Sequence, residues 1–365
     1  MKDLSKFMGC LIGGAAGDAL GYAVEFSSAD QIRQIYGEKG IQQYTKTAGK
    51  AFISDDTQMT LFTANGLLLG ITRGRLRGIM GPMEDYIYRA YLDWLYTQTG
   101  KSPEDHQYTW LRNIRRLHAR RAPGNTCLSA LASGKCGTTE KPINNSKGCG
   151  GVMRVAPIGL YFCDRDDEAG VAELGAKVAA ITHGHPLGFI PAATLVNIIF
   201  NCCKGSFDSL EAVIGHSISF TKTVFSQYPD TDYLVGLLYK AVELSGSNNS
   251  DIGNIEQLGE GWVAEEALAI AVYCSLKYSK DFEKAIIASV NHSGDSDSTG
   301  SVTGNILGAW LGMDSIPQHF KEDLELIDVL EETAMDLFND CKMSEYSDYR
   351  DEVWERKYIY NSYAL

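Results

Sequence analysis

Seven glycines stand at helical spacing in two ladders, Gly9, Gly13, Gly17 and Gly21 near the start of the chain and Gly300, Gly304 and Gly308 near its end. Residues four apart share one face of a helix, so each ladder reduces a helix face to bare backbone. A glycine inside a helix costs roughly 1 kcal/mol relative to alanine, and this chain accepts that cost twice over. The spacing predicts two helices that other backbone approaches closely, either in a tight crossing or where both crowd a site.

The remaining apolar pattern is also helical. Leu61, Leu68 and Leu69 continue one face, and Ile87, Tyr91, Trp94 and Leu95 form another. Val171, Leu174, Val178 and Ile181 repeat at three and four, as do Leu268, Val272 and Leu276. Ile306, Leu307, Trp310 and Leu311 close the series. Alternating runs are few, and Tyr36 to Tyr44 reads as a loop or small hairpin. The pattern predicts an all-α protein of about a dozen helices around one core, with residues 1–365 as a single domain. Gly134 to Gly151 and Ser245 to Gly261 read as internal loops. The tyrosine-rich tail 344–365 is either a packed cap or a partner contact.

With 37 glycines but no G-X-Y period, the chain is not collagen-like. A formal charge of -13 disfavours non-specific nucleic-acid binding and anionic membranes, both of which call for basic surfaces. Arg112, Arg115, Arg116, Arg120 and Arg121 read as a solvated helix face. Nine scattered cysteines without a C-x-x-C motif support neither a disulfide framework nor a cysteine-zinc site. No signal-like N-terminus and no uninterrupted apolar run of the roughly 18 residues a membrane span requires are evident. The expectation is a cytoplasmic protein.

Two acidic segments carry the chemistry. Ser54-Asp55-Asp56-Thr57 leads into the helical run from Met59, with Ser54 or Asp55 near the N-cap. Acidic residues at a helix start also complement its dipole, so this motif alone is ambiguous. The second segment, Gly294-Asp295-Ser296-Asp297-Ser298-Thr299-Gly300, again opens a helix. It is no EF-hand, because Ile306 occupies the place of the twelfth-position glutamate. Carboxylates with flanking hydroxyls suit magnesium, manganese or calcium. Two such helix starts, meeting in space, could hold two hard cations.

Several segments together resemble the ADP-ribosylglycohydrolases of the dinitrogenase-reductase-activating type. They are Gly9 to Phe26, Ser54 to Leu68, Ala122 to Leu131, Lys147 to Leu160, Ile181 to Pro186, Gly259 to Cys274 and Asn291 to Gly312. The resemblance implies an orthogonally packed all-helical domain with two divalent cations, Mg2+ or Mn2+, in a cleft. It assigns Ser54, Asp55, Asp56, Asp295, Asp297 and Ser298 to the metals, and Glu25 to the scissile bond as a substrate- or water-orienting group beside Asp55 and Asp56.

The same resemblance assigns a substrate loop at Asn144, Asn145, Ser146, Lys147, Gly148, Cys149 and Gly150, entering a helix at about Met153. Its backbone amides would receive a diphosphate without lysine. Relatives often carry G-N-G where this chain has Gly148-Cys149-Gly150, which puts any contact from that asparagine in doubt. His183 would touch phosphate or ribose, Trp262 would stack on the nucleotide, and Asn125 would border the scissile ribose. His185 reads as a turn or capping residue and His292 as structural.

The function so implied is metal-dependent removal of ADP-ribose from a modified protein, with arginine favoured over serine. Two other classes stay open from sequence: a non-catalytic ADP-ribose-binding protein, and an immunity-type protein that blocks an ADP-ribosylating enzyme by direct contact. The intact acidic set argues against loss of catalysis.

Overall fold

A computed structural model describes residues 2–365. Seventeen α-helices occur among the described residues, more than the periodicity suggested. The first four are α1 (Leu4–Tyr22), α2 (Ala29–Tyr36), α3 (Asp55–Arg77) and α4 (Met83–Thr99). Then come α5 (Asn125–Ala132), α6 (Ala156–Phe162), α7 (Glu168–Ala180), α8 (Pro186–Lys204), α9 (Leu210–Val224) and α10 (Thr231–Ser245). The rest are α11 (Asp251–Ile255), α12 (Ala264–Lys277), α13 (Phe282–Val290), α14 (Ser296–Leu311), α15 (Gln318–Lys321), α16 (Ile327–Asn339) and α17 (Glu352–Tyr358). The extra helices are short, such as α11 and α15, and one turn leaves no readable period.

The glycine ladders meet each other. Helices α1 and α14 run antiparallel with their glycines interleaved. A Cβ on Gly13 would lie 2.6 Å from the Gly304 carbonyl oxygen, and one on Gly300 would lie 2.5 Å from that of Gly17. At the far end, a Cβ on Gly21 would fall 2.6 Å from Asp297 Cα. Both backbones are in contact, so no side chain larger than hydrogen fits between them. The geometry brings the C-terminal end of α1, followed by Glu25, to the N-terminal end of α14, where Asp295 and Asp297 stand.

Helix α8 is long and apolar enough to cross a membrane, but 94% of that apolar window is buried inside the protein. It is the core helix against which α6, α7, α9 and α12 pack. Its N-cap is His185, whose Nδ1 accepts the Leu187 amide at 3.0 Å.

After Tyr36 ends α2, the stretch to Tyr44 is a loop, one of its two expected forms, and a small hairpin follows it at Lys46–Thr47 and Lys50–Ala51. Its turn holds Ala48 and Gly49, both at positive φ, the conformation tight two-residue hairpins require. Two local readings differ from the structure. The arginine cluster forms no helix face but two 3-10 turns, Trp110–Asn113 and Arg115–His118. Its members pair with acids elsewhere: Arg112 with Asp93, Arg116 with Asp328 and Arg121 with Glu325. The substrate loop enters no helix at Met153; a 3-10 turn, Cys149–Gly151, comes first and α6 begins at Ala156.

Part of the tail packs on the body: Trp354 donates to Thr72 Oγ1 at 2.9 Å, and buried Lys357 pairs with Glu332 and Asp336 at 2.7 Å each, while Tyr346, Tyr349 and Tyr360 are exposed.

Candidate metal centre and cleft

Six carboxylates gather at the base of one cleft: Asp18, Glu25, Asp55, Asp56, Asp295 and Asp297, all buried. Two helix starts supply four of them. Ser54 caps α3, its Oγ accepting the Asp56 amide at 3.1 Å, and places Asp55 and Asp56 in the first turn. Asp295 caps α14 and Asp297 follows, its Oδ1 accepting the Ser298 amide at 3.0 Å. Sharp backbone turns at Gly261 (φ +84°) and Gly294 (φ +130°), glycine territory, set up that start, and the Asp295 amide is tied to the Glu260 carbonyl at 2.8 Å. Asp55 is clamped from the other side: its Oδ2 accepts the Gly124 amide at 3.2 Å, and its own amide donates to the Arg121 carbonyl at 3.0 Å.

Oxygens of Glu25, Asp295 and Asp297 lie within 4.8 Å of one another. Among the described residues, none of the six carboxylates pairs with a lysine, arginine or histidine. Buried like charges without counter-charge must take up protons or cations. The electrostatics say the same: burial first, and then repulsion from Asp297, push Glu25 up to about 10 and Asp18 up to about 7. Asp55, Asp56 and Asp295 are raised well above the carboxylate range for the same two reasons. Glu25 Oε2 and Asp56 Oδ2 are buried without any hydrogen-bond partner. An all-oxygen donor set with orphaned, repelling carboxylates fits hard divalent cations.

Asp18 was not singled out from the sequence. It lies in α1, fully buried, and accepts from the Ser54 amide at 2.9 Å, the Thr57 amide at 3.0 Å and the Thr57 hydroxyl. It positions the start of α3 while α1 itself packs on α14.

Above the carboxylates the cleft encloses about 740 Å³, within the range of small-molecule sites. Glu25, Asp55, Asp56, Asp295, Asp297 and Ser298 line it together with Asn125, Gly148, Cys149, Gly150, His183 and Trp262. Ser54 lies underneath, fully buried. Cys149 Sγ is 2.7 Å from Asp295 Oδ2, so the side chain of the glycine loop touches the acidic cluster directly. Trp262 stacks on Phe26, with centroids 5.9 Å apart and 20° between planes. Phe26 follows Glu25, so this half-open aromatic pair stands at the carboxylate end of the cleft.

Other substrate-loop residues support the wall without lining it. Asn144 donates to the Thr182 carbonyl at 2.8 Å and accepts from the Ser146 and Gly184 amides. Ser146 Oγ accepts the Gly148 amide at 3.3 Å, and Lys147 turns away to pair with Glu265. Asn145 is exposed. The Cys149 amide donates to the Trp262 carbonyl at 3.2 Å, so it is occupied. Among the described residues the Gly150 amide has no such tie. Arg120, expected on a solvated face, lines the cleft. His292 is buried, bonding Thr299 Oγ1 at 2.9 Å and the Ser293 carbonyl at 3.0 Å.

Residues 1–346 match the family model described as ADP-ribosylglycohydrolase. The chain belongs to that family. It is similar to mouse ADP-ribosylhydrolase ARH3, 23% identical over 376 residues with 93% of each chain covered. It is 25% identical to the ADP-ribosyl-[dinitrogen reductase] glycohydrolase of Rhodospirillum rubrum, over 88% of this chain and 90% of that one. An uncharacterized protein of Archaeoglobus fulgidus is 28% identical, over 91% and 96%. A solved ADP-ribosylglycohydrolase-related protein complex shares the fold, with a TM-score of 0.59, 20% identity and 92% and 98% coverage.

Proposed function

We propose that this ADP-ribosylglycohydrolase removes ADP-ribose from mono-ADP-ribosylated protein side chains, with arginine as the preferred attachment. The observation that carries this reading is the uncompensated carboxylate cluster at the base of a nucleotide-sized cleft. Glu25, Asp55, Asp56, Asp295 and Asp297, with Ser54 and Ser298, are the oxygen donors that would hold two divalent cations, Mg2+ or Mn2+. When bound, such ions supply Lewis-acid charge beside the ribose hydroxyls.

The chain's own groups do the rest. The bond between ribose C1 and the side-chain nitrogen breaks through an oxocarbenium-like transition state, and water oxygen bonds to C1. Glu25, which lines the cleft and has one carboxylate oxygen without a partner, orients that water and holds the proton it loses; the departing guanidine nitrogen takes up a proton. Asp55 and Asp56, fixed by Gly124 and Ser54, keep the ribose side of the cleft negative where positive charge develops.

Arginine is favoured by the carboxylate end of the cleft. Carboxylates and the Phe26–Trp262 stack offer negative charge and flat π faces to a guanidinium, a combination of little use to a neutral serine hydroxyl. Trp262 therefore serves the leaving group here in place of the nucleotide. ADP-ribose release from defined arginine- and serine-linked peptides, with Mg2+ or Mn2+ present, tests the reading. Faster turnover of the arginine peptide, reduced by Trp262→Ala, is expected; preferential serine release removes the arginine assignment.

A further inference from the structure

Arg154 is completely buried, yet among the described residues no carboxylate pairs with it. One guanidinium nitrogen approaches Cys127 Sγ at 3.3 Å and Met59 Sδ at 3.5 Å. The other donates to Thr182 Oγ1 at 2.7 Å and, at 3.4 Å, to the Val178 carbonyl. The Tyr91 ring lies 4.5 Å away, and Arg154 Nε has no partner. Sulfur atoms and one ring are poor compensation for a charge removed from water. A buried cation in this setting calls for an anion nearby.

The hydrogen bonds lead from Arg154 toward the cleft. Thr182 Oγ1 lies 2.8 Å from His183 Nδ1. Arg154 can only donate, so it occupies a lone pair of that hydroxyl and leaves the hydroxyl proton for Nδ1. Nδ1 is then the acceptor, and the ring proton resides on Nε2. His183 lines the cleft, and its Nε2 faces the glycine loop: Cβ atoms built on Gly148 and Gly150 would lie 3.4 and 3.3 Å from it. The Gly150 amide, second in the 3-10 turn Cys149–Gly151, lies in the same loop.

We propose that Arg154 is a positioning residue for the substrate diphosphate: acting through Thr182, it fixes neutral His183 with its Nε2–H aimed at the phosphate place beside Gly148–Gly150. Arg154 also supplies buried positive charge behind that place, in a cleft otherwise dominated by acids. Burial, and next the Arg154 charge, press His183 down to about 3, which favours the neutral ring. This inference rests on the reading of the cleft as an ADP-ribose site.

Two measurements on the full chain test it. Long-range 15N–1H NMR of the His183 ring, without substrate, should show the Nε2–H tautomer in wild type and lose that preference in Thr182→Val, an isosteric change. Titration with ADP-ribose should show about tenfold weaker binding for Thr182→Val. Arg154→Met should weaken it at least as much, with partial rescue in Arg154→Lys. Where Arg154→Met fails to fold, Thr182→Val still decides. A wild-type Nδ1–H tautomer, or unchanged ADP-ribose affinity in Thr182→Val, overturns the relay. Tighter Mn2+ binding with unchanged ADP-ribose affinity in Arg154→Met would make Arg154 a counter-charge for the carboxylates and also overturn it. Absence of ADP-ribose binding by wild type instead contradicts the reading of the cleft, and takes the diphosphate with it.

Discussion

Asp18 Oδ1 accepts the backbone amide of Ser54 at 2.9 Å, one of three hydrogen bonds by which this carboxylate ties α1 to the start of α3 and so joins the two halves of the acidic site. Asp18 belongs to α1, whose glycine ladder is locked to α14 and hence to Asp295 and Asp297. Ser54 opens α3 and carries Asp55 and Asp56 behind it. One buried side chain thus sets the spacing between two motifs some 240 residues apart (Asp56 to Asp295).

Asp18→Asn tests that role. The amide keeps one acceptor oxygen, but its NH2 group would face the Thr57 amide and hydroxyl, both donors here. Groups that orient metal ligands typically contribute 10–100-fold to affinity or activity. A fall in kcat of about that size is expected, with far-UV circular dichroism essentially unchanged. Full activity would remove Asp18 from the site.

The glycine contact makes a contrast between substitutions. Gly13→Ala and Gly304→Ala insert a methyl into facing backbone, where overpacking typically costs 1–3 kcal/mol or more. Gly215 in α9 and Gly236 in α10 have open space around them, so alanine there should stabilise by up to about 1 kcal/mol. Denaturant unfolding of the four variants checks the signs. The first pair should also lose metal affinity, because separating α1 from α14 carries Glu25 away from Asp297.

Stability should depend on pH in an unusual direction when metal is stripped. Glu25 and Asp18 rise on folding, from 4.5 to about 10 and from 3.8 to about 7. Between those limits the folded chain binds more protons than the unfolded one, so stability falls as pH increases. Metal-free protein should therefore melt at lower temperature at about pH 8 than at about pH 5.5. Metal displaces those protons, so added Mn2+ should raise the melting temperature more at the higher pH. Thermal melts across pH, with and without chelator, measure both effects.

The sequence made some features plain and hid others for physical reasons. The ladders at i+4 and the acidic helix starts are local patterns, and they appear where the chain's own periodicity puts them. Their meeting is a matter of packing, which periodicity does not encode. Asp18 and Arg154 escaped notice although they share a readable mark: each is a lone charge inside an apolar, glycine- and alanine-rich or aliphatic run. A charge so placed is buried and must have a partner. The loop side chains were less accessible to such reasoning. Lys147 and Asn144 sit in the right segment, but Glu265 and the Thr182–Gly184 turn draw them away from the cleft. Arg120 was masked by its basic neighbours, which break into 3-10 turns and scatter to different acids.

The most direct test is ADP-ribose release from an arginine-modified protein by enzyme stripped with chelator and then resupplied with Mg2+ or Mn2+. Release should vanish on stripping, return with metal, and stay absent in Asp297→Ala even though that variant keeps its helical content. Undiminished release from the stripped enzyme would contradict a metal site at Glu25, Asp55, Asp56, Asp295 and Asp297.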